Sequence, residues 1–217
     1  MYKAILFDFD GTLANTMEAH FEAWYSAFFE FGGSVAPEDY YPLEGMPLPE
    51  IAKTLALKNG VDAARIPDIV KKKEDAYLSR LDGGAPEFYP GVLKRIDDLV
   101  ARGIPIGIVT GGFSDRIYAS VPKDFLDKFS VIITSDRVSR GKPYPDPYLA
   151  AAAKLGVDSS VCIGVENAPL GVESVKSAGM YCIGVASTVA PEVLRGADEV
   201  ALAFTDISKT KAFADWL

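Results

Sequence analysis

The sequence predicts an α/β fold: a Rossmann-like doubly wound parallel sheet with an inserted α-helical cap. Three observations point there. Continuous apolar runs recur at residues 4–9, Ile104 to Val109, Val131 to Ile133, Val161 to Val165 and Tyr181 to Val185. Strands buried on both faces of a parallel sheet read this way. Helix-period segments separate the later runs, and this alternation implies right-handed crossovers within one sheet. The first run is cut off from the others by a long, mainly helical stretch, which reads as an insertion.

The first strand enters directly, with only Lys3 as a charge before it, and delivers Asp8 and Asp10 to a Gly11-Thr12 turn. From Thr16 the period changes. Met17, Phe21, Trp24, Phe28 and Phe31 alternate spacings of four and three, one face of a helix that Gly32-Gly33 ends. Pro37 to Pro49 reads as loop or broken helix. Glu50 to Asn59 reads as a helix stopped by Gly60, and Asp62 to Leu81 as another. Residues 82–86, Asp-Gly-Gly-Ala-Pro, are the clearest linker. This divides the chain into a core of residues 1–15 and 83–217 and a cap of residues 16–82.

Beyond the linker, Pro90-Gly91 opens a helix with Val92, Ile96, Leu99 and Val100 inward. Gly103 ends it, and the next strand closes on Thr110-Gly111-Gly112. A further helical segment leads to Val131-Ile132-Ile133. Ala150 to Leu155 and Leu170 to Ala178 are helical, each followed by a strand. Pro191 to Leu194 starts a short helix, and a last helix runs to Leu217.

The 217 residues are 49% hydrophobic and 24% charged, enough for a sizeable core and against global disorder. A net charge of -8 argues against a nucleic-acid surface or an anionic membrane partner. It leaves open an anionic small molecule held by a few local cations and a metal. Cys162 and Cys182 form no CxxC pair, so a structural zinc is not expected and reduced, buried thiols are. No secretory signal or membrane span is legible, so the expected location is cytoplasmic. No sustained apolar patch is legible either, so a monomer is expected.

In such sheets, ligands bind at the carboxyl ends of the strands. Four chemically capable loops would converge there: Asp8/Asp10/Thr12, Thr110/Gly111/Gly112, Ser135/Asp136 with Lys142 beyond, and Glu166/Asn167. A buried strand carrying two acids is costly unless the acids have a partner or a task.

In their order and spacing, Asp8-Phe9-Asp10-Gly11-Thr12, Thr110, Gly141-Lys142-Pro143 with Asp146-Pro147-Tyr148, and Glu166-Asn167 with Gly171 and Gly179 resemble the haloacid dehalogenase superfamily. The stretch after Thr16 resembles the helical cap of the subfamily that inserts its cap behind the first motif. The resemblance implies a phosphotransferase in which Asp8 attacks phosphorus and forms an aspartyl phosphate. Asp10 then serves as general acid and base. Gly11, Thr12, Gly111 and Gly112 would contact phosphate oxygens. Thr110 would give a hydroxyl, and Lys142 would offset the charge on Asp8 and the phosphoryl group. The implied cofactor is Mg²⁺, held by Asp8, the Asp10 carbonyl, Glu166 and Asn167. The common pattern there is Glu-Asp; Asn167 can ligate but brings no charge. Halide chemistry is disfavoured, because dehalogenases of this family lack an acid at the Asp10 position.

The cap sequence from Asn15 to Trp24 is similar to the β-phosphoglucomutase group. Its His20, the sole histidine, is a candidate partner for Asp10 or for substrate. Against a mutase stands the loop Leu43-Glu44-Gly45-Met46-Pro47-Leu48-Pro49, acidic and apolar where the mutases carry basic residues. Asn15 replaces the usual acid, and no basic residue directly follows Gly112; Arg116 and Lys53 are the cations left to substitute. The expected function is Mg²⁺-dependent hydrolysis of a small phosphate ester, a sugar phosphate above all. The alternatives are a β-phosphoglucomutase-like mutase and a weakly active regulatory or binding protein of the same fold.

Overall fold

A computed structural model describes residues 2–81 and 84–214. Six parallel strands form one sheet in the order β3-β2-β1-β4-β5-β6. They are β1 Ala4–Phe7, β2 Ile106–Val109, β3 Val131–Ile133, β4 Cys162–Glu166, β5 Tyr181–Val185 and β6 Glu199–Ala201. β1 sits in the middle, pairing Ile5 with Ile106 on one side and with Ile163 on the other. The α/β expectation holds. β6 is an addition to the sequence reading, since three edge residues beginning with Glu199 carry no apolar run.

The helices are α1 Met17–Glu30, α2 Pro37–Tyr40, α3 Leu48–Asn59, α4 Ile66–Arg80, α5 Val92–Ala101, α6 Ser114–Ser120, α7 Lys123–Leu126, α8 Asp146–Leu155, α9 Pro169–Ser177 and α10 Lys211–Ala214. Side chains of β1 alternate between two cores. Ile5 and Phe7 join Val92, Ile96 and Leu99 of α5, with Ile117, Phe125 and Phe213. Ala4 and Leu6 join Tyr148, Ala151, Val172 and Val175 of α8 and α9. Each large side chain buried this way contributes about 1.5–3 kcal/mol. Val100, read as inward, is 43% exposed. It lies one step past the edge of the stripe that Val92, Ile96 and Leu99 define, so it meets water.

Residues 17–80 build a third core. Trp24 and Phe28 of α1 pack with Ile51 and Leu55 of α3 and Ile69 of α4. The stretch read as loop or broken helix holds α2 and a single 3-10 turn, Tyr41–Leu43. The linker assigned to residues 82–86 lies partly outside the described residues, as does the end of the helix assigned up to Leu217. Both cysteines are free and buried. Among the described residues no helix is long and apolar enough to cross a membrane.

Candidate active site

β1 ends at Phe7, but Asp8 still belongs to the sheet: its N–H donates to Val165 O at 2.9 Å. The chain then turns sharply, with Leu13 and Ala14 both donating to Phe9 O. Gly11 takes φ +87°, and a Cβ there would lie 2.2 Å from the Asn167 amide. Glycine is therefore what lets the loop after β1 close against the loop after β4.

Asp8 is 3% exposed. Its Oδ1 accepts from Lys142 Nζ at 2.6 Å. The same ammonium meets Glu166 Oε1 at 2.6 Å and Val109 O at 3.0 Å, and Tyr148 donates to Glu166 Oε1 at 2.7 Å. Asp8 Oδ2, buried, has no partner among the described residues. Burial pushes the Asp8 carboxyl up to about 7, against the pull of Lys142. For Lys142, the two acids outweigh burial and raise its pKa, so it stays protonated. One oxygen of Asp8 is thus anchored and the other left available beside a cavity.

Asp10 has a different set of partners. Its Oδ1 accepts from Thr16 at 2.9 Å, from His20 Nε2 at 3.0 Å and from Arg116 Nη1 at 3.1 Å. Its Oδ2 accepts from Arg116 Nη2, and Thr110 Oγ1 approaches at 3.4 Å. Arg116 fits because position 112 is glycine: a Cβ there would lie 2.0 Å from Nη2. Burial works to raise the Asp10 carboxyl, but Arg116 and then His20 outweigh it and hold the group well below the ordinary value. Lys73 Nζ lies 3.0 Å from His20 Nδ1. An ammonium can only donate, so Nε2 carries the imidazole proton and donates to Asp10. Burial, aided by Lys73, pushes the His20 pKa down to about 3, which keeps the ring neutral. Tyr77 stacks on His20 with centroids 4.1 Å apart.

The Arg116–Asp10 pair gives a pH prediction. Asp10 is depressed in the folded state, so its contribution is present at neutral pH and is lost as pH falls through and below 3.8. Arg116→Met is expected to lower stability at pH 7 and to flatten that acid-side decline. Urea midpoints measured from pH 7 downward test it; parallel curves for the two proteins would refute it.

The other predicted residues fall around the same point, with some donors already engaged. Gly11 N–H donates to Ala14 O at 2.8 Å, and Thr12 Oγ1 donates to Asn167 Oδ1 at 2.9 Å. Thr110 Oγ1 accepts from Gly112 N–H at 3.0 Å. Asn167 Nδ2 faces Thr188 Oγ1 at 3.0 Å and Glu44 Oε2 at 3.4 Å. Asp136, by contrast, binds Ser114 rather than the site. Lys53 has no part in the cavity wall, whereas Arg116 does.

A cavity of about 40 Å³ is bordered by Asp8, Asp10, His20, Glu44, Lys73, Gly111, Gly112, Arg116, Glu166 and Asn167. Met17, Trp24, Leu48 and Ile51 supply its apolar wall. Sequence reasoning missed the roles of Glu44, Lys73, Arg116 and Thr188. The Lys71-Lys72-Lys73 run was a visible signal; Thr188 had none. A hard divalent cation fits this donor set, because Asp8 Oδ2 is a buried oxygen awaiting a partner and Glu166 and Asn167 border the same space. Among the described residues no three His, Cys, Asp or Glu side chains already close around one point. Lys142 stands between Asp8 and Glu166 in this conformation.

Fold and site together define the class: the chain belongs to the haloacid dehalogenase-like hydrolase family, whose description matches residues 5–185. It is 32% identical to validoxylamine A 7'-phosphate phosphatase of Streptomyces hygroscopicus subsp. limoneus over 95% of this chain and 96% of that one. It is 32% identical to hexitol phosphatase A of Escherichia coli strain K12, over 96% and 94%. A solved putative β-phosphoglucomutase from Bacteroides vulgatus superposes with a TM-score of 0.84 at 29% identity, covering 99% of this chain and 89% of that one.

Proposed function

We propose that the protein is a Mg²⁺-dependent phosphatase that hydrolyses a small phosphorylated metabolite, of the sugar or polyol phosphate class, through a phosphorylated Asp8. The observation that carries this reading is Asp8 itself: one oxygen fixed by Lys142, the other buried, unpaired and beside the cavity. Two relatives, named validoxylamine A 7'-phosphate phosphatase and hexitol phosphatase A, support the substrate class.

The free oxygen of Asp8 attacks phosphorus. An Asp8 O–P bond forms as the ester O–P bond breaks, and Asp10 gives the leaving oxygen a proton. Water, giving its proton to Asp10, then attacks the aspartyl phosphate and releases inorganic phosphate. Lys142 offsets negative charge on Asp8 and on the phosphoryl group throughout. Asp8, the Asp10 carbonyl, Glu166 and Asn167 would hold Mg²⁺, which would supply the positive charge that lets a carboxylate approach a phosphate. In the conformation described, His20 and Arg116 hold Asp10 ionised, the form the water step needs; Asp10 takes up the proton it gives to the leaving oxygen when the cap opens for substrate and carries His20 away from it.

Residues 16–82 act as a cap that must open for substrate. A cavity of about 40 Å³ holds only one or two waters, far short of a sugar phosphate. Plain hydrolysis is favoured over a mutase because the loop at residues 43–49 presents Glu44, an acid, to the cavity where a second phosphate would need cations. The intact Asp8–Lys142 pair disfavours an inert binding protein.

The test is to quench turnover of a panel of phosphorylated sugars and polyols with acid. A protein-bound phosphate is expected that hydroxylamine releases and that mass spectrometry maps to Asp8. Steady hydrolysis with no such adduct, or an adduct elsewhere, would remove the reading.

A further inference from the structure

The acid absent from position 167 is present in the site from another source. Glu44 belongs to the cap loop between the Tyr41–Leu43 turn and α3, yet it is 3% exposed and borders the same cavity as Asp8. Its Oε2 is met by Asn167 Nδ2 at 3.4 Å and by Thr188 Oγ1 at 3.2 Å. Its Oε1 is buried and has no partner among the described residues.

We infer that Glu44 is a cap-borne member of the divalent-cation site: it supplies the negative charge that Asn167 lacks, so that cation binding and seating of the loop at residues 43–49 are linked. The inference rests on the phosphatase reading for the presence of a cation. The local charge count supports it. The cations of this region are committed, Lys142 to Asp8 and Glu166, Arg116 to Asp10 and Lys73 to Glu74. Glu44 is left with no cation beside it, and a carboxyl buried in this way needs a counter-ion to carry its charge. Two buried carboxylate oxygens, Asp8 Oδ2 and Glu44 Oε1, stand unpartnered around that space. The space holds one or two waters and is too small for the substrate, so a small cation bound directly by these oxygens is the occupant this conformation suits.

The linkage follows from where Glu44 is attached. Its neighbour Gly45 lies against the core: a Cβ at Gly111 would be 2.8 Å from Gly45 O, and one at Gly45 would be 3.5 Å from Lys142 Cδ. When this loop lifts, Glu44 leaves with it. A cation that draws on Glu44 therefore binds the closed form better than the open one, and closure must strengthen cation binding by the same factor.

The experiment is a Mn²⁺ titration by paramagnetic resonance on the full chain, with no substrate. Wild type is compared with Glu44→Gln, Asn167→Asp and the double variant. Glu44→Gln keeps the shape and removes a buried charge, and its urea midpoint in chelator checks that it folds. It is expected to weaken Mn²⁺ binding roughly 10–100-fold, and Asn167→Asp in the same chain is expected to restore most of the loss. Mn²⁺ should slow hydrogen exchange of residues 43–49 in wild type and not in the double variant. Unchanged affinity in Glu44→Gln, with or without a raised KM for phosphate esters, overturns the inference; so does the absence of saturable Mn²⁺ binding to wild type. Because no substrate is present, these outcomes are independent of whether Asp8 becomes phosphorylated.

Discussion

Replacing Asp8 by Asn is expected to lower phosphate-ester hydrolysis about 10⁴-fold or more while the protein stays folded. The amide keeps an oxygen that can accept from Lys142, and Lys142 retains Glu166 at 2.6 Å. A buried carboxyl whose pKa is already pushed up to about 7 is replaced by a neutral group of the same shape, so no new unpaired charge is created. What is lost is the second oxygen, the only part of Asp8 not held by the fold. Steady-state assays with Mg²⁺ on the best ester of the panel, with a circular dichroism spectrum as the folding control, decide it. A rate within a few-fold of wild type would mean that another group attacks phosphorus.

Lys142→Met should be the most damaging single change to stability, at about 3–5 kcal/mol. It leaves Asp8 and Glu166, both buried, facing each other without their shared cation. Tyr148 still donates to Glu166, but Asp8 keeps nothing comparable. The sign with pH can be stated. The ammonium's pKa is raised in the folded state, so its contribution is fully present below 10.5 and is lost only as pH rises through the still higher folded value. The gap to wild type should therefore persist across the neutral range in urea denaturation. Asp8 also loses the group that pulls its pKa down, so any residual activity should need more alkaline solution. A gap under about 1 kcal/mol would show that the pair contributes no more than a surface ion pair does.

The centre of the candidate site was legible because it follows from one rule. Strand ends of a parallel sheet converge, so Asp8, Thr110, Lys142 and Glu166 could be gathered from runs far apart in the chain. Glu44 was visible as an acid in a loop, and that sufficed to argue against a second phosphate site. Its approach to Asn167 was not, since no periodicity encodes where an irregular cap loop lands. Arg116 was named as a cation without a place. Its place depends on the missing side chain of Gly112 and on the face of Tyr77, two elements that meet only in the folded protein. Val100 and β6 show the same limit at smaller scale, where one helical step or three edge residues leave little pattern.

The central position of β1 has a consequence for the order in which the protein can be assembled. β1 is made before both of its neighbours, β2 on one side and β4 on the other, and Asp8 beyond it reaches Lys142 across 134 positions of chain. Contacts so distant in sequence form late and slowly. Until the segment around Glu166 has been made, the apolar stretch before Asp8 has only half of its place in the sheet, and the emerging chain must be kept from sticking to others. Asp8 is therefore made well before the groups that complete its surroundings, and it stays without them until the segment around Glu166 has followed.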